Sequence, residues 1–178
     1  CGDNNQPATS GDDGQVITLI AAHVNNEDSS FHYGMTKFKE HLEELSGGKM
    51  TVEIHANGEL GGDETELIEK VATNTVDVII VFPVTFQRCA SDFLALPFVY
   101  NSLDHWKACI QSDKVGGFFA NAINDNGAFH LLGYYMCGIR SLFCTHPVRS
   151  LEDMNGLNIR VKQSENVFAL WSAYGCNP

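Results

Sequence analysis

The stretch VITLIAAHVNNEDSSFHYGMTKFKEHLEEL, residues 16–45, joins an apolar strand to an amphipathic helix and decides the fold class. Residues 16–22 form a continuous apolar run rich in β-branched side chains, which is typical of a buried strand. After a polar loop, apolar residues recur at helical spacing; they are Phe31, Met35, Phe38, Leu42 and Leu45. Asp28 or Ser29 is predicted to cap this helix at its amino end.

The same strand-helix unit is repeated downstream. Alternating apolar residues over positions 50–54 predict a second strand, and Asp63 is predicted to cap a second helix, with Glu66 in the capping-box position. The apolar run of residues 76–82 predicts a third strand, which Pro83 ends. This β-α-β-α-β order predicts an α/β fold with a parallel sheet, whose ligands bind beyond the carboxyl ends of the strands.

Two loops lie at that predicted edge of the sheet, residues 23–27 and residues 82–87. The candidate ligand contacts in them are His23, Asn26, Phe82 and Thr85. A second interpretation stays open for two of these residues. His23 is equally well explained as a surface residue at the end of a strand, and Phe82 as a core residue.

The second half of the chain predicts shorter elements. Ser102 and Ser164 are each predicted to cap a helix, and Ser150 to open a single helical turn. Residues 94–100 are predicted to be extended, because the proline within them excludes a central helix. Three further strands are predicted, at residues 129–135, 142–145 and 157–161.

Two arginines accompany these last strands. Arg160 lies within the alternating pattern of residues 157–161, and Arg140 follows the apolar segment before it. A guanidinium held on a rigid element is a planar, permanently charged fork that matches a carboxylate. The alternative is that both arginines face solvent, one at the end of a strand and one in a surface ion pair.

Composition restricts the classes of partner. The formal net charge of −11 argues against nucleic acid and anionic lipid surfaces, so an anionic ligand would have to be bound locally by a few cations. The six cysteines include no C-x-x-C pair, and the seven histidines show no H-x-x-x-H or H-E-x-x-H pattern. The sequence therefore predicts no metal site and no cofactor.

Two other chemistries can be weighed from the sequence. The glycine-rich loop at residues 57–62 precedes a helix, but it lacks the phosphate-binding patterns, and Glu59 and Asp63 would repel a phosphate. A structural turn is therefore expected there. Cys137 and His146 could form a nucleophile pair of a cysteine-dependent enzyme, although no third residue to orient the histidine is evident.

Several short motifs resemble the DctP-type family, the extracytoplasmic solute-binding subunits of tripartite ATP-independent periplasmic (TRAP) transporters. They occur in the family's order over nearly the whole chain; they are NGELGGD at 57–63, LPF at 96–98, GIR at 138–140, PVRSLEDMNGLNIRV at 147–161 and GCNP at 175–178. The resemblance implies a two-lobed periplasmic-binding-protein-like fold that binds a ligand without catalysis. It also implies that Arg160 holds a small carboxylate, with Arg140 in a secondary role.

The resemblance also implies a division of the chain. We expect a nearly complete first α/β lobe at residues 15–127 and a partial, truncated second lobe at residues 128–178. Phe82 stands where sialic-acid-binding members carry a glutamate, which favours a simpler aromatic or aliphatic carboxylate. The implied partners are a small organic acid and the membrane subunits of a TRAP transporter. The alternatives are a sensory ligand-binding domain and a fragment that takes no part in transport.

The amino end predicts a location. Cys1 is followed by a polar stretch, and residues 1–14 together resemble the flexible tether of a bacterial lipoprotein after signal-peptide cleavage. We therefore expect a lipid anchor on Cys1 and an extracytoplasmic protein held at the outer face of the membrane.

Overall fold

A three-stranded parallel sheet forms the centre of the protein. The computed structural model describes residues 16–86, 91–125 and 127–178. The strands are β1 (Ile17–Ala22), β2 (Met50–His55) and β3 (Val78–Ile79), in the order β2-β1-β3. In register, Ala21 of β1 lies opposite Ile54 of β2 and Val78 of β3. The predicted parallel α/β class is confirmed.

The first helix, α1 (Ser30–Leu45), packs on the sheet through its apolar stripe. Its cap is Ser29, whose hydroxyl accepts a hydrogen bond from the backbone N–H of His32 at 3.3 Å. Met35 is buried in a cluster with Ala21 and Val52, one residue from each of the two long strands. The predicted helix is therefore confirmed, and of the two candidate caps the structure selects Ser29.

The second helix, α2 (Glu64–Ala72), also begins as predicted, because the Asp63 carboxylate accepts from the N–H of Glu66 at 2.9 Å. The Glu66 carboxylate accepts from the N–H of Gly62 at 2.9 Å, one residue before the position that a standard capping box uses. Leu67 is fully buried between this helix and the sheet, in a cluster with Ala22 and Val76.

The rest of the described chain is helical or irregular. Its helices are α3 (Pro83–Phe86), α4 (Leu103–Gln111), α5 (Phe118–Asn124) and α6 (Glu165–Ala173). A π-helical turn, Asp113–Gly117, precedes α5, and two 3-10 turns lie at Ser91–Ala95 and Glu152–Met154. Ser102 and Ser164 cap α4 and α6 as predicted. None of the helices within the described ranges is both long and apolar enough to cross a membrane.

Several predicted strands were wrong. Residues 129–135 and 142–145 form no strand, and residues 157–161 form only one bridge, between Asn158 and Asn177. A strand needs a neighbour for its backbone groups, and the described residues supply none beside residues 129–135 and 142–145 and only a short segment around Asn177 beside residues 157–161. Apolar side chains of the first two segments are consequently exposed, 66% for Leu132 and 94% for Phe143.

Two further predictions need correction. The predicted strand at residues 76–82 is reduced to Val78–Ile79. On one side the Asp77 carboxylate accepts a hydrogen bond from the N–H of Ile20 at 2.7 Å, and on the other the chain turns into α3 at Pro83. Residues 94–100 were predicted to be extended, but the 3-10 turn Ser91–Ala95 reaches into them.

Candidate functional site

The carboxyl end of β1 places His23 inside the protein. Its side chain is fully buried, which corrects the interpretation of His23 as a surface residue. Nε2 of His23 lies 3.1 Å from Nδ1 of His32 on α1, and the two rings meet edge to face with centroids 5.3 Å apart. Nδ1 of His23 and Nδ2 of Asn25 are buried without hydrogen-bond partners in the part of the chain that the structure describes.

Burial controls the protonation of this histidine. It lowers the pKa of His23, because the charged imidazolium loses its hydration, and the neighbouring His32 lowers the pKa further. The backbone of Asn25 raises the pKa of His23 and offsets part of this lowering. These surroundings therefore favour the neutral imidazole, which offers one donor and one acceptor.

Phe82, just after β3, is the point at which distant parts of the chain meet. Its half-buried ring packs edge to face on Phe31 of α1, with centroids 5.2 Å apart. The guanidinium carbon of Arg140 lies 5.1 Å from the same ring centroid, and Nζ of Lys162 lies 4.8 Å from it. The structure thus joins two residues that the sequence singled out, Phe82 and Arg140, by a cation–π contact.

Lys162 is a residue that the sequence analysis missed. Its Nζ lies 3.3 Å from Oε2 of Glu64, a carboxylate in the first turn of α2 that is only 4% exposed. Continuing the alternation of residues 157–161 by one step would have put Lys162 on the same face as Arg160. That signal was available, but nothing in the sequence indicated the pairing with Glu64.

The remaining predicted ligand contacts, Thr85, Asn26 and Arg160, have different local surroundings. The backbone N–H of Thr85, in α3, donates to the carbonyl of Phe82 at 3.0 Å. Asn26 is exposed, and its carbonyl accepts from the Ser29 hydroxyl at 2.6 Å. Arg160 is also exposed, and within the described residues it makes no ion pair or hydrogen bond. Its guanidinium is therefore available to an external anion.

The glycine-rich loop is engaged internally. The N–H of Gly58 donates to the carbonyl of His23, that of Gly61 to the carbonyl of Gly58, and that of Gly62 to Glu66. Asn57 and Gly58 adopt positive φ angles of 56° and 70°, as a tight turn requires. These N–H groups are not free to hold a phosphate, which agrees with the predicted structural turn.

A cleft elsewhere on the surface does not coincide with the candidate site. An open cleft of about 360 Å³ is lined by residues that include His146, Asp153 and Asn158, but by none of the predicted ligand contacts.

Cys137 is exposed, and no hydrogen bond joins it to His146 in the described ranges. Among the described residues, no group of three potential metal ligands lies together. Residue 87, Cys89 and the predicted anchor Cys1 lie outside the described residues.

Comparison with known proteins identifies the family of the chain. Residues 21–178 match the family described as bacterial extracellular solute-binding protein, family 7, or DctP. The chain belongs to this family. The resemblance that the sequence motifs indicated is thereby confirmed.

Relatives of this family 7 chain include proteins crystallised with an organic acid or named for binding one. A solute-binding protein of Roseobacter denitrificans is 31% identical over 92% of this chain and 50% of its own. Its crystal structure, with L-galactonate bound, matches with a TM-score of 0.78 at 29% identity, over 92% of this chain and 54% of that one. The C4-dicarboxylate-binding periplasmic protein of Shewanella loihica is 27% identical over 88% of this chain and 46% of its own.

Two facts follow for this family 7 protein. The periplasmic-binding-protein-like α/β fold predicted from the sequence is confirmed by the likeness to a TRAP periplasmic solute-binding protein. The chain spans about half the length of the curated relatives it matches. The family and these relatives are solute-binding proteins of transport systems.

Proposed function

We propose that this family 7 protein is an extracytoplasmic solute-binding protein that captures a small organic acid and delivers it to the membrane subunits of a TRAP transporter. The observation that carries this proposal is the placement of Arg140 and Lys162 on one aromatic ring, Phe82, at the carboxyl edge of the sheet. In a chain of net charge −11, such a local concentration of cations favours an anionic ligand over the opposing global field.

The residues have distinct roles in this proposal. Arg160 holds the ligand carboxylate by a bidentate pair of charge-assisted hydrogen bonds, and its exposed, unpaired guanidinium supports that role. Arg140 makes a secondary contact above Phe82. Four first-lobe residues are proposed to surround the ligand; they are His23, Asn26, Phe82 and Thr85. The surroundings of His23 favour its neutral form, so its proposed contribution is a hydrogen bond and no charge.

The relatives support an acid as the ligand. One has been crystallised with L-galactonate, and another is named for binding C4-dicarboxylates. Both compounds carry a carboxylate, and they share little else. We infer that the site recognises the carboxylate first, and that the protein binds its solute without transforming it.

Isothermal titration calorimetry of the protein, produced as its gene encodes it, tests this function. We expect L-galactonate or succinate to bind, and Arg160→Lys to weaken binding at least about tenfold, because lysine lacks the bidentate fork. Arg149→Lys is the matched control, since Arg149 is also exposed and, among the described residues, only its backbone N–H is engaged, with Asp153. If the wild type bound neither acid, the proposed function would be wrong. If Arg160→Lys bound as the wild type does, the role given to Arg160 would be wrong.

The anchor is a separate proposal. We infer that Cys1 carries lipid, which would hold the protein at the outer face of the membrane. The polar residues after Cys1 support this reading, since they would form a tether. Mass spectrometry of the native protein should find a diacyl or triacyl group on Cys1. An unmodified Cys1 in the mature protein would refute the anchor and leave the binding function standing.

A further inference from the structure

A buried carboxylate fixes the position of the Lys162 ammonium. The Glu64 side chain is 4% exposed, and its Oε2 lies 3.3 Å from Nζ of Lys162, a partner 98 residues away along the chain. A carboxylate removed from water requires such a partner, because an uncompensated buried charge is strongly destabilising. Glu64 also lies in the first turn of α2, where a carboxylate interacts favourably with the helix dipole.

The same ammonium keeps capacity for a ligand. The Lys162 side chain is 32% exposed, so it remains partly open to solvent despite its contact with Glu64. An ammonium group has three N–H donors, and among the described residues Lys162 forms an ion pair with Glu64 alone, which leaves donors for a ligand. The distances of Lys162 and Arg140 to the Phe82 centroid place the two cations within about 10 Å of each other. Glu64 balances only one of these two charges.

We propose that Lys162 is a further solute-binding residue, which contacts the anionic solute beside Arg140 over the Phe82 ring, and that Glu64 is its positioning residue. This inference rests on the proposed function, since it assumes an acid in the site. It adds a cation to the two arginines and names the buried acid that orients it. Phe82 then acts as a platform for the two cations.

A purely structural role for Lys162 makes a different prediction. If Lys162 served only to neutralise Glu64, then removing both charges together would restore the protein fully. If Lys162 also contacts the solute, the double variant would recover its stability but would still lack a ligand contact. The two roles therefore separate in the variant Glu64→Gln/Lys162→Met, in which no buried charge is left without a partner.

The experiment measures affinity and thermal midpoint in parallel on four variants. They are Lys162→Met, the double variant, Lys162→Arg and, as a matched control, Lys37→Met, which removes a partly exposed lysine from an ion pair on α1. The probe is whichever of L-galactonate and succinate binds the wild type more tightly. We expect Lys162→Met and the double variant both to bind at least about tenfold more weakly. Lys162→Arg should retain most of the affinity, and the control all of it.

The outcomes separate this inference from the function on which it rests. A double variant that regains the thermal midpoint but not the affinity supports the role of Lys162. A double variant that regains both, or a Lys162→Met protein that binds as the wild type does, overturns it while the proposed function stands. A wild type that binds neither probe refutes the proposed function and this inference together. An unaffected Arg160→Lys beside a weakened Lys162→Met would refute only the role given to Arg160.

Discussion

Two neighbouring glycines in the turn before α2 provide a sharp test of the packing described above. A Cβ added at Gly61 would lie 2.9 Å from Cδ2 and 3.2 Å from Cγ of Leu67, a side chain with no exposure. At Gly62 the nearest atom would be Oε2 of Glu66, at 4.0 Å, which is ordinary contact. Neither glycine has a positive φ, so backbone strain does not separate the two positions.

The expected magnitudes follow from this difference. Replacing either glycine by alanine reduces the entropy of the unfolded chain, which stabilises the folded protein by about 0.4–1 kcal/mol where the added methyl group fits. At Gly61 the methyl group must displace a fully packed Leu67, and such overpacking costs about 1–3 kcal/mol. Gly62→Ala should therefore be neutral or slightly stabilising. Gly61→Ala should be the less stable of the two by about 1–3 kcal/mol.

Urea unfolding, monitored by circular dichroism, measures the difference as a shift in midpoint with unchanged slope. Coupling to Leu67 gives the internal check. In a Leu67→Ala background the space opposite Gly61 is open, so adding Gly61→Ala should cost little or nothing. Equal stability of the two single variants would refute the reasoning. So would an undiminished cost of Gly61→Ala in the Leu67→Ala background.

Two other predictions concern side chains that join α1 to the rest of the protein. Because burial lowers the pKa of His23, the unfolded chain binds a proton more readily than the folded one. The contribution of neutral His23 to stability is therefore fully present above the ordinary histidine pKa of about 6.5, and it is lost as the pH falls through the lowered pKa. Thermal midpoints measured over this range should depend less on pH in His23→Gln than in the wild type, whereas His41→Gln, at an exposed site, should keep the wild-type dependence. Tyr135→Phe removes the hydroxyl that donates to the carbonyl of Ser30 at 2.8 Å and should cost about 0.5–1.5 kcal/mol in urea unfolding. Tyr33→Phe, whose hydroxyl makes no hydrogen bond in the described part of the chain, should cost nothing measurable, and equal effects would contradict this assignment.

Elements that depend on local chemistry were predictable from the sequence. Four predicted caps are found in the structure: Ser29, Asp63, Ser102 and Ser164. They were predictable because a cap needs only a side-chain oxygen and an N–H two or three residues away. The parallel pairing of the first two strands was equally clear, because both have strand patterns and a helix separates them.

Features that depend on distant partners were not predictable. The segment of residues 142–145 has the composition of a strand, but its backbone lacks a neighbour among the described residues. His23 could not be assigned to the interior from its position at a strand end. The pairing of Lys162 with Glu64 spans 98 residues, and no local pattern encodes a contact of that range. The candidate site is therefore the part of the protein that the sequence described least completely.

The distance of 3.1 Å between the two histidine nitrogens has a consequence for where hydrogen atoms reside. When both rings are neutral, a single hydrogen occupies the space between Nε2 of His23 and Nδ1 of His32. If His23 carries it there, His32 must be the Nε2–H tautomer; if His32 carries it, His23 must be the Nδ1–H tautomer. The tautomers of the two rings are therefore interlocked. A solute that bonded to one of them would select the hydrogen position of the other, nine residues along the chain.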